Sequence, residues 1–190
     1  MDAKFQWMFS PENKKTLVLM RGCPSSGKSF RAKQLAGGDS SIICSADHFF
    51  GSTPEEYVAN WSVEKLGSAH NECKKNVRML MQRQVPLVIV DNTNTMVHEM
   101  MPYFDYAWQY QYRVQIEEPT SPWWVNDIAP YLADKEANKK QLEKMCEFLF
   151  EKNQETHKVP LASIKKMLFR YHYNVTVEQL ATKLDSYIPE

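Results

Sequence analysis

The sequence has no excess charge of either sign and no long hydrophobic run. Lys plus Arg and Asp plus Glu number 23 each among the 190 residues, so no net positive field draws the whole chain to nucleic acid or to an anionic membrane. No apolar run approaches the ~20 residues that a membrane span requires. The N-terminal residues also lack the charged segment and apolar core of a targeting peptide. We therefore expect no membrane association, and we expect any contact with nucleic acid to lie in a local groove.

Paired cysteines are also lacking. The four cysteines are scattered without CxxC spacing, at Cys23, Cys44, Cys73 and Cys146. This pattern predicts free thiols in a reducing compartment and no structural zinc site. The chain is long enough for one α/β domain and too short for two of ordinary size. We expect a single domain over residues 1–190 in a soluble intracellular protein, cytoplasmic or nuclear.

The sequence does contain a complete phosphate-binding motif. Residues 22–29 match GxxxxGKS directly after the apolar run 17–20. A buried strand that ends in a glycine-rich turn and opens a helix aims several backbone N–H groups, and the positive end of the helix dipole, at one point. The lysine of such a loop reaches the outer phosphates, its final serine is a Mg²⁺ ligand, and its glycines adopt angles that a Cβ would obstruct. The motif predicts a nucleotide site formed by Gly22, Cys23, Pro24, Ser25, Ser26, Gly27, Lys28 and Ser29.

Apolar runs alternate with amphipathic segments along the chain, which is typical of an α/β fold. The pattern predicts strands at 17–20, 42–44, 87–90 and 112–116, and helices at 29–36, 63–84, 96–109, 133–151 and 160–171. Between Pro122 and Pro130 we expect an irregular aromatic segment, followed later by a polar loop over 152–159. Residues 175–184 are expected to form a short helix or a poorly ordered end.

Two carboxylates follow predicted strands. Asp47 lies just beyond the second strand and is a candidate general base for an attacking hydroxyl, with an N-cap of the next helix as the alternative. Asp91 closes the strand 87–90, where NTPases of this type hold an acidic residue near Mg²⁺, and a strand-ending turn is its alternative. Ser29 and Asp91 are thus the candidate metal ligands. Asp91, Thr93 and Asn94 are candidates for substrate contact, although Thr93 and Asn94 alternatively cap the helix that begins near residue 96.

Taken in order, these motifs resemble a known family. The sequence runs from GxxxxGKS through Ser45-Ala46-Asp47 and Asp91-Asn92-Thr93-Asn94 to Glu118-Pro119 with a following Trp. This order resembles the P-loop polynucleotide 5′-hydroxyl kinases and, over the same stretches, the P-loop domains of cyclic-nucleotide phosphodiesterases and of animal AAA-like ATPase kinases. The resemblance covers about residues 16–119 and resumes near Lys152-Asn153 and Val159-Pro160.

The resemblance implies both a fold and an activity. The implied fold is a three-layer α/β/α P-loop kinase-like domain with a mostly parallel central sheet in the strand order 2-3-1-4. It would have a core over about 15–119, an insertion and lid over about 120–160, and C-terminal helices over 160–190, with a helical C-terminal lid. The implied activity is transfer of the ATP γ-phosphoryl group to the 5′-hydroxyl end of RNA or DNA, with Asp47 as general base and Lys28, Lys152 and Mg²⁺ around the phosphates.

The chain departs from that pattern at two arginine positions. His48-Phe49-Phe50 follows Asp47, where the family usually has an arginine, and Lys152 stands at the lid position. Lysine offers a point charge instead of a bidentate fork, so weak activity, altered substrate choice and loss of catalysis all remain open. The alternatives are a kinase of a small hydroxylated metabolite and a non-catalytic nucleotide-binding module that docks RNA or a protein.

Other residues admit two interpretations. Trp61, Trp123 and Trp124 either stack on bases or pack in the core or lid. The lysine and arginine clusters on the predicted helices are solvated faces unless they bind phosphate. His70 and Cys73 lie one helical turn apart without further ligands nearby, which favours a packed helix face over a zinc site.

Overall fold

The centre of the structure is a parallel sheet of four short strands. The computed structural model describes residues 5–10, 12–154 and 156–187. Its strands are β1 (Thr16–Met20), β2 (Ile43–Cys44), β3 (Leu87–Val90) and β4 (Arg113–Glu117). They lie in the order β2-β3-β1-β4, and every pair is parallel. The predicted α/β class and the strand order 2-3-1-4 are therefore confirmed.

Helices cover both faces of the sheet. Their bounds are α1 Gln6–Phe9, α2 Lys28–Ala36, α3 Pro54–Asn60, α4 Leu66–Gln82, α5 Val97–Tyr110, α6 Pro122–Asp127, α7 Lys139–Asn153, α8 Leu161–Arg170 and α9 Val177–Leu184. Val18 and Ile89 belong to the apolar cluster that includes α2, whereas Leu17 and Leu19 pack in the cluster that includes α4, α5 and α9. The side chains of β1 alternate between the two faces of the sheet. Because helices cover both faces, β1 is buried along its whole length. The result is the expected three-layer α/β/α arrangement.

A third apolar cluster joins the C-terminal helices to the loop after β1. It contains buried residues of α6, α7 and α8, among them Trp124, Leu149 and Leu168, together with Cys23 from the loop. The C-terminal lid is helical, as expected, and it is packed against the phosphate-binding motif. In the described ranges, no helix combines the length and the apolar character needed to cross a bilayer.

For the lid segment, one prediction was wrong and another helix was predicted with the wrong start. The region after Pro122 is not irregular but begins with α6, because proline is well tolerated at the first helical position and the Ser121 hydroxyl accepts a hydrogen bond from the Trp124 N–H at 3.3 Å. The helix predicted at 133–151 starts only at 139, because the residues from Asp134 to the start of the helix form a turn. The Asp134 carboxylate accepts from the Ala137 N–H at 3.0 Å.

The segment between β2 and β3 also differs from the prediction. The helix predicted at 63–84 is α4, preceded by a short 3-10 helix over Val63–Lys65. The helix α3 was not predicted. Its start is marked by Thr53 and Glu56, which form a reciprocal capping box, and that pattern is legible in the sequence. This missed helix forms part of the wall of the candidate site.

Candidate nucleotide-binding site

The loop between β1 and α2 has the backbone geometry of an anion-binding turn. Gly22 and Gly27 have φ angles of +150° and +92°, which favour glycine. A Cβ on Gly22 would lie 2.6 Å from the Ser26 Oγ atom and 2.8 Å from a ring carbon of Pro119. The glycine at 22 is therefore required both by its backbone angle and by the close approach of the loop to Pro119.

The start of α2 leaves hydrogen-bond donors free for a ligand. The first intrahelical bond runs from the Arg31 N–H to the Gly27 carbonyl at 3.1 Å, so the N–H groups of Lys28, Ser29 and Phe30 have no acceptor within the helix. The Ser26 hydroxyl is buried without a protein hydrogen-bond partner. Burial raises the pKa of the neighbouring Cys23 thiol, so that side chain stays neutral. These groups fit a polyphosphate chain.

Lys28 is paired with Asp91 beneath the loop. The Lys28 ammonium lies 2.6 Å from the Asp91 carboxylate, and both side chains are buried. Burial acts to raise the pKa of Asp91, but the charge and hydrogen bond of Lys28, with help from the Ser29 hydroxyl and His48, outweigh it and hold the pKa below its usual value. Asp91 is therefore ionised at neutral pH, and it holds the lysine at the loop.

Ser29 and Asp91 supply oxygen atoms of the kind that Mg²⁺ prefers. The Ser29 hydroxyl is among the groups that lower the pKa of Asp91, so the two side chains are neighbours. Within the part of the chain that the structure describes, no group of three or more His, Cys, Asp or Glu side chains is placed to hold a metal ion. A Mg²⁺ ion at this site would therefore depend on phosphate oxygens and water in addition to Ser29 and Asp91, which is the usual arrangement in phosphate-transferring sites.

Asp47 is held by the residues around it and is not itself a helix cap. Ser45 caps the 3-10 helix Ala46–Phe50 by accepting a hydrogen bond from the Asp47 N–H at 3.2 Å. The Ala46 N–H donates to the Asn92 Oδ1 atom at 2.9 Å, which ties this segment to the residue after Asp91. The Asp47 carboxylate is 47% exposed and lines the same cleft as Lys28.

Two residues beside Asp47 were not identified from the sequence. The His157 Nε2 atom lies 3.9 Å from an Asp47 carboxylate oxygen, and the His157 ring packs edge-on against the Tyr57 ring with centroids 4.4 Å apart. Burial, and then the Asp47 carboxylate, raise the pKa of Tyr57, so the phenol remains protonated. His157 belongs to a polar loop without a local pattern. Tyr57 belongs to α3, whose capping box is the sequence signal that was missed.

These groups meet in one cleft of about 760 Å³. Of the residues predicted for the site, the cleft is lined by Cys23, Pro24, Ser25, Gly27, Lys28, Ser29, Asp47, Thr93 and Lys152. Gly22, Ser26, Asp91 and Asn94 lie behind this surface. The structure thus brings most of the predicted residues together, and it adds aromatic and histidine side chains at Phe30, Phe50, Tyr57, Trp61, His70, Trp123 and His157.

Asn94 does not face the cleft. Its side chain is buried and donates to the Met20 carbonyl at 2.8 Å, while its own carbonyl accepts from the Arg21 Nε at 3.0 Å. The cap of α5 is provided by Glu99, which accepts from the Met96 N–H at 3.1 Å. The position of Asn94 therefore favours neither substrate contact nor capping, because the side chain joins the ends of β1 and β3.

The lid is hydrogen-bonded to the phosphate-binding loop at three points. The Ser121 hydroxyl donates to the Ser26 carbonyl at 2.6 Å, the Trp123 indole N–H donates to the Ser25 carbonyl at 3.1 Å, and the Asn153 amide donates to the Ser25 hydroxyl at 3.1 Å. The Lys152 ammonium lies 4.4 Å from the centre of the Trp123 ring. The lid therefore places a positive charge at the cleft beside the loop.

A parallel α/β sheet, a glycine-rich loop that opens a helix and a buried lysine–aspartate pair define a P-loop nucleotide-binding domain. The family model described as "AAA domain" matches residues 17–172, so the chain belongs to that family.

Two curated relatives are similar to the chain over shorter stretches. Human NEDD4-binding protein 2 is 35% identical over 112 residues, which are 57% of this chain and 6% of the relative. Mouse 2′,3′-cyclic-nucleotide 3′-phosphodiesterase is 29% identical over 111 residues, which are 57% of this chain and 25% of the relative. The matched part is thus a small fraction of each relative.

Proposed function

We propose that the protein is an ATP- and Mg²⁺-dependent phosphotransferase that phosphorylates the 5′-hydroxyl end of RNA or DNA, with Asp47 as general base. The observation that carries the proposal is the presence of Lys28, Ser29 and a solvent-accessible Asp47 carboxylate in one cleft. A phosphate-binding loop alone would serve hydrolysis or simple binding equally well. A carboxylate in the same cleft adds a proton acceptor for an attacking hydroxyl.

In this proposal each residue has a distinct task. The acceptor oxygen bonds to the terminal phosphorus of ATP while the bond from that phosphorus to the bridging oxygen breaks, and Asp47 takes the hydroxyl proton. Lys28 and the lid residue Lys152 place positive charge around the transferring group. Mg²⁺, held with the help of Ser29 and Asp91, would neutralise charge on the phosphate oxygens. His157 and Tyr57 keep the Asp47 carboxylate at the cleft.

The nature of the acceptor rests on resemblance more than on geometry. The order of the motifs resembles polynucleotide 5′-hydroxyl kinases, and the mouse relative is named for action on cyclic nucleotides. Both support an acceptor with a nucleotide end. A kinase of a small hydroxylated metabolite would use the same loop and the same carboxylate. The chain has no net charge, which is equally compatible with a small substrate.

A specific observation also favours a non-catalytic nucleotide-binding module. No arginine is among the described residues that line the cleft, and a well-placed arginine contributes about 10³-fold or more to such transfers. The human relative is named for binding a protein, which is compatible with a docking role. In that case ATP with Mg²⁺ would raise thermal stability by mass action, while phosphate transfer would stay at background.

One experiment separates these functions. The purified protein is incubated with labelled ATP, Mg²⁺ and either a 5′-hydroxyl oligonucleotide or a free nucleoside, and label transfer is measured together with the ATP-induced thermal shift. We expect transfer to the oligonucleotide. Asp47→Asn should lower it by about 10²–10⁴-fold, the usual contribution of a general base, and should leave the thermal shift unchanged.

The matched control is Asp127→Asn, an exposed aspartate outside the cleft, which should behave as the parent protein does. A thermal shift without any Asp47-dependent transfer would refute the kinase and support the binding module. Efficient transfer to the nucleoside, with none to the oligonucleotide, would support the metabolite kinase instead.

A further inference from the structure

Trp61 stands on the wall of the cleft beyond Asp47. It follows α3 directly, and its backbone N–H donates to the Tyr57 carbonyl at 2.9 Å. Tyr57 packs against the His157 ring, and the His157 Nε2 atom lies 3.9 Å from Asp47. Trp61 therefore lies one helical turn, about 5.4 Å along the helix axis, beyond a residue of the wall next to the candidate base. This spacing is on the scale of one ribose. If the acceptor hydroxyl lies at Asp47, the nucleobase attached to the same ribose lies near Trp61.

Trp61 differs from the other two tryptophans considered for base stacking. Trp124 is buried and donates to the Glu118 carboxylate at 3.1 Å. Trp123 donates to the Ser25 carbonyl and is covered by Lys152. Trp61 is 37% exposed and lines the cleft, and among the described contacts its indole has no ring partner. Of the three, it is the tryptophan whose indole makes neither a hydrogen bond nor a ring contact among the described residues.

The surrounding wall is aromatic and apolar. Phe50 and Tyr57 line the cleft and pack edge-on with centroids 5.4 Å apart, and Leu66 lines the cleft beside them. Phe30, at the start of α2, lines the same cleft and is 66% exposed. Flat apolar surfaces of this kind suit the face of a nucleobase, which every base presents whatever its sequence.

The same wall is poorly suited to a phosphodiester backbone. Residues 45–66 contain four carboxylates, at Asp47, Glu55, Glu56 and Glu64, against one lysine and no arginine. That lysine, Lys65, donates to the Asn60 carbonyl at 3.0 Å. Proteins that hold nucleic acid by its backbone neutralise the phosphates with lysine and arginine side chains. Of this segment, the described residues that line the cleft include one charged side chain, Asp47, and neither a lysine nor an arginine.

We infer that the acceptor is recognised by its terminal nucleobase, stacked on Trp61, and not by its backbone phosphates. The inference deepens the proposed function and rests on it for the orientation of the acceptor. The substrate class is then a 5′-hydroxyl nucleoside end with little preference among bases, and very short oligonucleotides bind about as well as long ones.

The test is an equilibrium titration of the full chain with labelled 5′-hydroxyl oligonucleotides that carry either a normal or an abasic first nucleotide. Trp61→Ala should weaken binding of the normal oligonucleotide about tenfold or more, as expected for one lost base–aromatic stack. Trp61→Phe should retain most of the affinity. The abasic oligonucleotide should bind weakly to the parent protein and be insensitive to Trp61→Ala.

Two controls accompany the titration. Tyr173→Ala removes an aromatic side chain that is 44% exposed and lies outside the cleft, and it should leave affinity unchanged. Salt dependence provides an independent measurement, because each phosphate contacted on a single strand steepens the slope of log K against log salt by about 0.7. We expect a slope no steeper than about −1.4, the value for two phosphates.

The outcomes distinguish this inference from the proposed function. Equal affinity of the parent protein and Trp61→Ala, no binding by the parent protein, or a slope of about −3 or steeper, which corresponds to four or more phosphates, overturns the inference, even if label transfer is observed. Trp61-dependent and base-dependent binding without any label transfer supports the inference and removes the kinase.

Discussion

The amide of Asn153 donates a hydrogen bond to the hydroxyl of Ser25 across 128 residues of sequence. Asn153 is the last residue of α7 and is fully buried, and its side-chain oxygen accepts from the Val159 N–H. One side chain thus joins the lid helix, the lid loop and the phosphate-binding loop. The geometry of the nucleotide site therefore depends on the lid as well as on the loop sequence.

Asn153→Ala should destabilise the protein and weaken nucleotide binding together. The substitution leaves the Val159 N–H without its acceptor and the Ser25 hydroxyl without its donor, and we expect a loss of about 1–3 kcal/mol in the free energy of unfolding. Denaturant unfolding and ATP titration by calorimetry would measure the two effects. Gln154→Ala, at the exposed next residue, is the control and should change neither. Unaltered ATP affinity in Asn153→Ala would show that the lid does not shape the loop.

Asp91→Asn should lower the free energy of unfolding at neutral pH and make that free energy less dependent on pH in the acid range. The substitution leaves the buried Lys28 ammonium without its carboxylate, which costs about 3 kcal/mol in comparable pairs. Since the pKa of Asp91 is lower in the folded protein than in the unfolded chain, the carboxylate contributes stability above about pH 4, and this contribution is lost as the pH falls through the folded-state pKa.

The measurement for Asp91 is a set of denaturant titrations between pH 7 and pH 3. The parent protein should lose stability at the acid end more steeply than Asp91→Asn does, so that the two curves converge. Asp127→Asn, the exposed control, should parallel the parent protein. Curves that stay parallel for Asp91→Asn would mean that the pair with Lys28 does not depress the pKa.

Lys152 should contribute to phosphate transfer through its charge. Lys152→Ala is expected to lower kcat, by up to about 10³-fold if the lysine takes the role that a well-placed arginine has in such transfers. Lys152→Arg should retain or raise kcat, because the guanidinium adds a fork that matches phosphate oxygens. Lys144→Ala, on the same helix, exposed and outside the cleft, is the control. Equal kcat for all the variants would place Lys152 outside the reaction.

The ion pair of Arg21 and Glu118 should contribute to the stability of the protein. Arg21 is buried and lies 3.2 Å from the Glu118 carboxylate, which also accepts from the Tyr171 hydroxyl at 2.8 Å. Tyr171→Phe should cost about 0.5–1.5 kcal/mol, the net contribution of one hydrogen bond. Glu118→Ala should cost more, because it leaves the buried guanidinium without its counter-charge. Chemical denaturation measures both losses, and a smaller loss in Glu118→Ala than in Tyr171→Phe would contradict this ranking.

Parts of the site that depend on local pattern could be predicted from the sequence. Residues 22–29 combine two glycines at positive φ with a preceding apolar strand, and strand, loop and helix follow from neighbours in the chain. The order of the strands came from the resemblance to a family. The prediction for 122–130 was wrong because Pro122 was read as a sign of irregular structure, although proline is equally at home at the start of a helix.

Parts of the site that depend on distant contacts could not be predicted. Asp47 was found from its place after a strand, but His157 at 3.9 Å from it comes from a polar loop with no local signal. Trp61 was one of three tryptophans considered for base stacking, and its exposure depends on how α3 packs beside the cleft. Packing decides which tryptophan is buried and which is exposed, and the residue type alone does not distinguish them.

The sequence by itself determined the phosphate-binding loop, the four strands and the candidate carboxylates, because glycine angles, apolar runs and strand ends are properties of neighbouring residues. Only the tertiary structure decided that Asn153 holds the loop, that Lys28 is paired with Asp91, that Asn94 faces away from the cleft and that Trp61 faces into it. These contacts join residues far apart in the chain, and their positions follow from how the lid and the helices pack against the sheet.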